Sequence, residues 1–151
     1  MTTSLTDQDW QIRLAIYRFF VEHERPPSVD ELATALGVDL ESVRRAYHRL
    51  HCSHAILLEP ATDDVRMANP LSALPTPYRV RIHGRSLFAN CAWDSLGIPA
   101  MFGSDARIEA TIDGGEPVRY AIEGNELRAD DRFVVHFPLP FRDWYDDLVH
   151  T

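Results

Sequence analysis

The sequence predicts an α+β protein in which an N-terminal winged helix-turn-helix region precedes a small, mostly antiparallel sheet packed by helices. Apolar residues recur at helical spacing in the first third of the chain, and apolar and charged residues alternate from residue 78. Three prolines interrupt both patterns between residues 68 and 77. We therefore predict a winged-helix domain over residues 1–69, a semi-rigid linker over residues 70–77 and an α+β domain over residues 78–151.

The N-terminal region carries the pattern of three helices followed by a hairpin. An N-cap pattern at Thr6 opens a first helix, a capping box at Ser28 opens a short second helix, and Asp39 caps a third. Two short apolar runs, at residues 55–59 and 65–67, predict a hairpin in the position of a wing. This order of elements is typical of a winged helix-turn-helix.

A stripe of arginines lies on the third predicted helix, which is the recognition helix of a helix-turn-helix. It contains Arg44, Arg45 and Arg49, and arginines on such a helix contact phosphates and guanines. The chain as a whole has a formal net charge of −8, so no global positive field draws it to nucleic acid. We therefore expect these arginines to be exposed to solvent. DNA contacts are the alternative, and nucleic acid is the less favoured partner.

The C-terminal region carries the pattern of an antiparallel sheet with helices against it. A strand is predicted over residues 78–82, and the apolar stretch 87–101 predicts a buried helix whose regular part is limited by Gly97 and Pro99. The remaining predicted elements are a hairpin of residues 106–112 and 118–122, a strand over residues 133–137, and a closing amphipathic helix over residues 141–150 with Trp144 and Leu148 inward.

The composition excludes several classes of protein. Every basic side chain is arginine, so the chain has no lysine for a P-loop or a Schiff base. No apolar run approaches the roughly 20 residues of a membrane helix, and the polar start lacks the pattern of a signal peptide. We therefore expect a cytoplasmic protein with no membrane partner. Its thiols, Cys52 and Cys91, should be reduced, and their spacing fits no structural zinc site.

Cys91 and Asp94 are the candidate catalytic residues. They stand three positions apart, so both lie on one face if the backbone there is helical. A thiolate at a helix N-terminus has a lowered pKa and is a good nucleophile or soft-metal ligand, and the neighbouring carboxyl can deliver a proton. From the residues alone, the alternative is a small buried cysteine beside an aspartate that caps a helical turn.

The run from Leu87 to Ala100, LFANCAWDSLGIPA, resembles the active-site helix of the alkylmercury lyase family, in which Cys-x-x-Asp precedes a leucine and a Pro-Ala pair. The order of elements along nearly the whole chain is also similar to that family, and so is the stretch from His136 to Trp144. The resemblance implies an α+β lyase that cleaves a carbon–mercury bond.

The resemblance also implies roles for the candidate residues. Cys91 would be the metal ligand that captures mercury, and Asp94 would protonate the carbon that leaves as hydrocarbon. We expect Trp93 and His136 to line the pocket, the alternative for each being a place in the core. No cofactor is implied, and mercury or another soft metal would be bound as substrate or product. The family's second active-site cysteine has no counterpart in residues 131–134, so the chain resembles a divergent member.

Three functions stay open at this level. The first is an organomercurial lyase-like enzyme that acts at Cys91 and Asp94, either on a carbon–mercury bond or in a related thiolate-dependent reaction. The second is a winged-helix transcriptional regulator that senses a soft metal or thiol-reactive ligand through Cys91. The third is a protein that holds such a metal without chemistry. For the enzyme, the partner is a small-molecule substrate such as an organomercurial, and the pattern predicts no oligomeric state.

Overall fold

The computed structural model describes residues 4–111 and 114–146, in which four helices accompany an eight-stranded sheet. The helices are Asp7–His23 (α1), Val29–Leu36 (α2), Leu40–Cys52 (α3) and Ala92–Phe102 (α4), and a 3-10 helix covers Phe141–Asp146. The strands are Leu57–Leu58 (β1), Val65–Ala68 (β2), Leu71–Ser72 (β3), Tyr78–Ile82 (β4), Arg85–Ala89 (β5), Ala106–Ala110 (β6), Val118–Glu123 (β7) and Glu126–Arg128 (β8).

The sheet is antiparallel throughout the described ranges, with strand order β1-β2-β3-β5-β4-β6-β7-β8. Helix α4 packs against β4, β5 and β6 in its centre. The predicted hairpin is formed by β6 and β7, although residue 112 at its end lies outside the described residues. The predicted α+β class with a mostly antiparallel sheet is confirmed.

The three N-terminal helices begin where their capping patterns predict. Thr6 and Asp9 form a capping box at α1, with the Asp9 carboxylate accepting from the Thr6 backbone N–H at 2.9 Å. Ser28 and Glu31 form the same arrangement at α2, and the side chain of Asp39 caps α3. These caps satisfy N–H groups that have no partner within the helix. The assignment of the three helices and the β1–β2 hairpin to the winged-helix class stays a prediction.

The helices and the sheet share one hydrophobic core. Side chains of α1 and α3 are fully buried in the same cluster as side chains of the central strands. Members of the cluster include Ile12, Ile16 and Phe20 from α1, Val43, Tyr47 and Leu50 from α3, and Leu71, Val80 and Leu87 from the sheet. The boundaries of the two predicted domains stay a prediction. Within the described residues, no helix combines the length and apolar character needed to cross a bilayer.

The segment predicted as a linker contains a strand. Leu71 of β3 pairs with Ala68 of β2 on one side and with Ala89 of β5 on the other. The prolines at 70, 75 and 77 flank this strand and do not interrupt its ladder. Because β3 pairs on both sides, it joins the β1–β2 hairpin to the central sheet, and its Leu71 side chain is fully buried.

The helix predicted over residues 87–101 begins later than expected. Its first part belongs to β5, which forms a hairpin with β4 through a turn at Gly84, so Leu87 and Ala89 are buried by the alternation of a strand. An apolar run of this length fits a strand or a helix, which is why the pattern misassigned it. Helix α4 then continues through Gly97 and Pro99, which do not end it.

The C-terminal predictions also differ from the structure. Residues 133–137 form no strand, and the short strand β8, which the pattern did not predict, pairs with β7 at this edge of the sheet. The predicted closing helix is a 3-10 helix over Phe141–Asp146, and its predicted continuation to residue 150, with Leu148, lies outside the described residues. The 133–137 segment instead lies beside the first turn of α4.

A buried ion pair joins α1 to α3. Asp9 is fully buried, and its carboxylate accepts from the Arg49 guanidinium at 2.7 Å. Burial alone would raise the pKa of Asp9, but hydrogen bonds from Arg49 and Thr6 outweigh it and hold the pKa below its ordinary value. The other two arginines predicted as DNA contacts also have carboxylate partners: Arg44 pairs with Glu41 and Asp63, and Arg45 pairs with Glu41. Their role at DNA stays a prediction.

We expect Arg49→Met to lower the free energy of unfolding by about 3 kcal/mol at pH 7, because Asp9 would be left as an unpaired buried charge. The matched control, Arg45→Met on the exposed face of the same helix, should change it by less than about 1 kcal/mol. Because the Asp9 pKa is depressed, the stabilisation is present above about pH 4 and disappears as the pH falls below that value. Urea denaturation at pH 7, 5 and 3 measures both effects, and equal losses in the two variants would contradict the assignment.

Candidate active site

Cys91 is the N-cap residue of α4. Strand β5 ends at Ala89, the backbone turns at Asn90, and the Cys91 sulfur accepts a hydrogen bond from the backbone N–H of Asp94 at 3.4 Å. The Cys91 carbonyl accepts from the N–H of Ser95, which continues the first helical turn. The thiol therefore lies at the positive end of the helix, beside the carboxyl three positions on.

The pKa of the Cys91 thiol is raised above its ordinary value, so the lowered pKa predicted for this position is wrong. Burial is the main cause, because it disfavours the thiolate. The charge of Asp94 and the hydrogen bond to its carboxylate act in the same direction, whereas the N–H groups of Asp94 and Trp93 favour the thiolate. Burial and the neighbouring negative charge together outweigh the field of the helix.

The pKa of Asp94 is also raised above its ordinary value. Burial is again the largest cause, and it is opposed by hydrogen bonds from Asn90 and Cys91. The Asn90 amide nitrogen donates to the Asp94 carboxylate at 3.2 Å. A carboxyl that keeps its proton more readily than in water is suited to act as a proton donor.

Asn90 connects the site to the N-terminal part of the chain. Its amide nitrogen also donates to the side-chain oxygen of Asn69, which follows β2, at 2.9 Å. The backbone carbonyl of Asn69 accepts from the hydroxyl of Tyr17 on α1, and that hydroxyl accepts from Arg13 at 2.9 Å. The sequence analysis missed Asn69 and Tyr17, because no local signal links residues so far apart in the chain.

A cavity of about 120 Å³ brings the predicted site residues together. Cys91, Asp94, Trp93 and His136 all line it, although they come from α4 and from the irregular segment before the 3-10 helix. The other lining residues are Met67, Asn69, Asn90, Val135, Phe137, Pro138 and Trp144. The catalytic and pocket roles of the four residues stay predictions, but one enclosed space is available to all of them.

Aromatic side chains form the outer wall of this cavity. The Trp93 and Phe137 rings meet edge to face at 5.9 Å, and Phe137 stacks on Trp144 at 5.3 Å. The Trp144 indole N–H donates to the carbonyl of Leu139 at 3.0 Å, which orients its ring. Trp93 is 56% exposed, so it lies at the entrance and not in the core. This wall is apolar and fits the organic part of a ligand.

A second cavity, of about 270 Å³, adjoins the first through His136 and Val135. Tyr120 lines it, and its hydroxyl lies 2.7 Å from that of the buried Ser95. A larger open groove of about 790 Å³ lies elsewhere on the sheet and is lined by arginines, among them Arg81 and Arg107. Neither cysteine lines that groove, so the enclosed cavity at α4 is the candidate site.

The donor set of the enclosed cavity does not suit a hard metal ion. Within the described ranges, no group of three or more histidine, cysteine, aspartate or glutamate residues is placed to hold a metal. Cys52 is exposed at the end of α3 and does not line the cavity. One thiol beside one carboxyl is a better match to a soft metal ion that binds few ligands.

Known proteins resemble this chain over much of its length. A family model described as alkylmercury lyase matches residues 71–151. The chain is 28% identical over 101 residues to an alkylmercury lyase of Bacillus cereus, covering 66% of this chain and 44% of that protein. It is 29% identical over 103 residues to one of Staphylococcus epidermidis, covering 68% and 45%. The chain thus spans less than half the length of the curated relatives it matches.

A solved structure has a similar fold. The crystal structure of the mercury-bound form of MerB2 superposes with a TM-score of 0.68 at 22% identity, covering 85% of this chain and 62% of that one. The superposition covers a larger share of the chain than the family model does, so the similar fold includes part of the region before residue 71.

We expect the alkylation rate of Cys91 to reach half its maximum above about pH 8.5, the ordinary value for a cysteine, because burial and Asp94 disfavour the thiolate. Asp94→Asn should move this midpoint to lower pH, since it removes a negative charge beside the sulfur. Iodoacetamide rates between pH 6 and 10, in a Cys52→Ser background, measure the midpoint. Asp30→Asn on exposed α2 is the control, and an unchanged midpoint in Asp94→Asn would contradict the coupling.

Proposed function

The chain belongs to the alkylmercury lyase family, and from this premise we propose that it cleaves the carbon–mercury bond of an organomercurial by protonation. Cys91 is the ligand that captures mercury, and Asp94 is the proton donor. The observation that carries the proposal is that the Cys91 thiol and the Asp94 carboxyl line one small cavity, where the backbone N–H of Asp94 donates to the Cys91 sulfur at 3.4 Å. The raised pKa of both groups supports it, because the Cys91 thiol holds its proton until the metal binds and the Asp94 carboxylate takes up a proton more readily than in water.

The proposed reaction moves one proton from sulfur to carbon. Mercury binds the Cys91 sulfur, and the thiol proton passes to the Asp94 carboxylate, which lines the same cavity. Asp94 then gives this proton to the carbon bound to mercury, and the electron pair of the carbon–mercury bond stays with that carbon. The products are a hydrocarbon and mercury(II) on the Cys91 sulfur, without any change of oxidation state. No cofactor takes part, and mercury enters only as part of the substrate.

The walls of the cavity support an organomercurial as substrate. Trp93, Phe137 and Trp144 present apolar surface to the organic group in the same cavity that the Cys91 sulfur lines. Apolar walls exclude water, which strengthens the electrostatic interactions between the groups inside the cavity. His136 lines the same space and is proposed as a pocket residue.

We propose a structural role for the N-terminal region, as a winged-helix module that supports the site. The contacts from Tyr17 to Asn69 and from Asn69 to Asn90 favour this role, since they link α1 to the residue beside Cys91. The start of the matched family region at residue 71 supports a boundary close to the predicted one. A DNA-binding regulator is less well supported, because Arg49 is held by a buried carboxylate.

We expect the protein to release benzene from phenylmercury in the presence of excess small thiol, and Cys91→Ser to release none, because no sulfur captures the metal. Asp94→Asn should still bind the substrate but release benzene about 10²- to 10⁴-fold more slowly, since the proton donor is lost. Gas chromatography of benzene measures the rate. Cys52→Ser is the matched control and should keep full activity, and undiminished turnover in Cys91→Ser would exclude the mechanism.

Trp93→Ala should raise the KM for phenylmercury by about 3- to 10-fold with little change in kcat, because an aromatic contact contributes binding but no proton transfer. Steady-state kinetics of benzene release separates the two constants. Trp10→Ala removes a similarly exposed tryptophan on α1 and should leave both unchanged. A fall in kcat alone would place Trp93 in the chemical step instead.

A further inference from the structure

Mercury(II) left on Cys91 after the hydrocarbon departs has one sulfur ligand and open coordination positions. We propose that the thioether sulfur of Met67 is the second ligand, so that the cavity holds the metal product between Cys91 and Met67. The inference rests on the proposed function, since it concerns the product of that reaction.

Met67 lies in the wall of the cavity that contains Cys91. It is partly exposed on β2, and its neighbour in register is Ser72 of β3, which in turn pairs with Phe88 of β5. Two residues further on, the side chain of Asn69 is held by Asn90, the residue before Cys91. The N–H of Asn90 also donates to the carbonyl of Pro70 at 3.3 Å. The end of β2 is therefore anchored beside the N-terminus of α4.

Sulfur is the donor that a soft metal ion prefers. Among the described residues, the sulfur atoms belong to Cys52, Met67, Cys91 and Met101, and of these only Met67 and Cys91 line the cavity. The Asp94 carboxylate is a hard donor and is already held by Asn90. The imidazole of His136 is intermediate in softness. A second soft bond is therefore available from Met67 alone within this part of the chain.

The step requires no further reactant. Once the carbon has taken its proton and electron pair and has left, a lone pair of the Met67 sulfur forms a bond to mercury(II) on the Cys91 sulfur. The thioether is neutral, so it loses no proton, and Asp94 is again the carboxylate that it was before the reaction. External thiols then displace the weaker thioether first and remove the metal. The enclosing rings of Phe137 and Trp144 limit the access of water to the ion in the meantime.

Methyl resonances of methionine test the contact directly. The chain has three methionines, Met1, Met67 and Met101, so protein labelled with ¹³C at the methionine methyls gives a simple spectrum. In a Cys52→Ser background, an equimolar amount of mercury(II) chloride should shift the Met67 signal and leave that of Met101 unchanged. In Cys91→Ser the Met67 shift should be lost at the same concentration. A Met67 signal that does not move in the parent protein would overturn the proposal.

Affinity provides the second measurement. Loss of an outer-sphere partner of a metal ligand already costs about 10- to 100-fold in affinity, so Met67→Leu should weaken mercury(II) binding by at least about tenfold in competition with 2-mercaptoethanol. Met101→Leu, the matched control, should bind as the parent does, and unfolding curves check that both variants are folded. Equal affinity in Met67→Leu and the parent would overturn the proposal.

The two proposals fail in different ways. If the parent protein releases no benzene from phenylmercury but the Met67 signal shifts with mercury(II), the lyase function is excluded and the Met67 ligand stands. If benzene is released while the Met67 signal and the affinity of Met67→Leu are unchanged, the lyase function stands and the Met67 ligand is excluded.

Discussion

The N-terminal cap of α4 is the constraint on which the candidate site depends. The Cys91 sulfur takes the place of a capping oxygen and accepts the N–H of Asp94, so the thiol and the carboxyl are presented by a single turn. Strand β5, which leads into this turn, is paired on both sides, by β3 and by β4. The sheet therefore fixes the position of the cap, and the cap fixes the spacing of the two reactive groups.

The electrostatics of this site follow from burial more than from the helix. A helix N-terminus favours an anion, but the Cys91 thiol is half enclosed and has a carboxylate as its neighbour. The pKa of Cys91 and that of Asp94 both rise, which disfavours a preformed thiolate and makes the Asp94 carboxylate a better proton acceptor than it is in water. A soft metal must displace the proton of the thiol, and the adjacent carboxylate can receive it.

The N-terminal region takes part in the site although its sequence carries no sign of this. Met67 and Asn69, at the end of the β1–β2 hairpin, complete the cavity wall, and Tyr17 of α1 holds the backbone of Asn69. Strand β3 makes this arrangement continuous, because it joins the hairpin to β5. The region is thus part of one framework with α4, and the two share a hydrophobic core.

Local patterns were sufficient to predict the three N-terminal helices and the Cys91–Asp94 pair, because capping residues and a spacing of three act within one helical turn. They were not sufficient for β3, for β5 or for the irregular segment 133–137, since a short apolar run is compatible with a strand, a helix or a buried irregular segment, and only its partners in the fold decide between them. The place of Met67 in the wall, and the burial that is the main cause of the raised pKa of Cys91, were decided by tertiary structure. Both depend on residues distant in the chain, which no local spacing encodes.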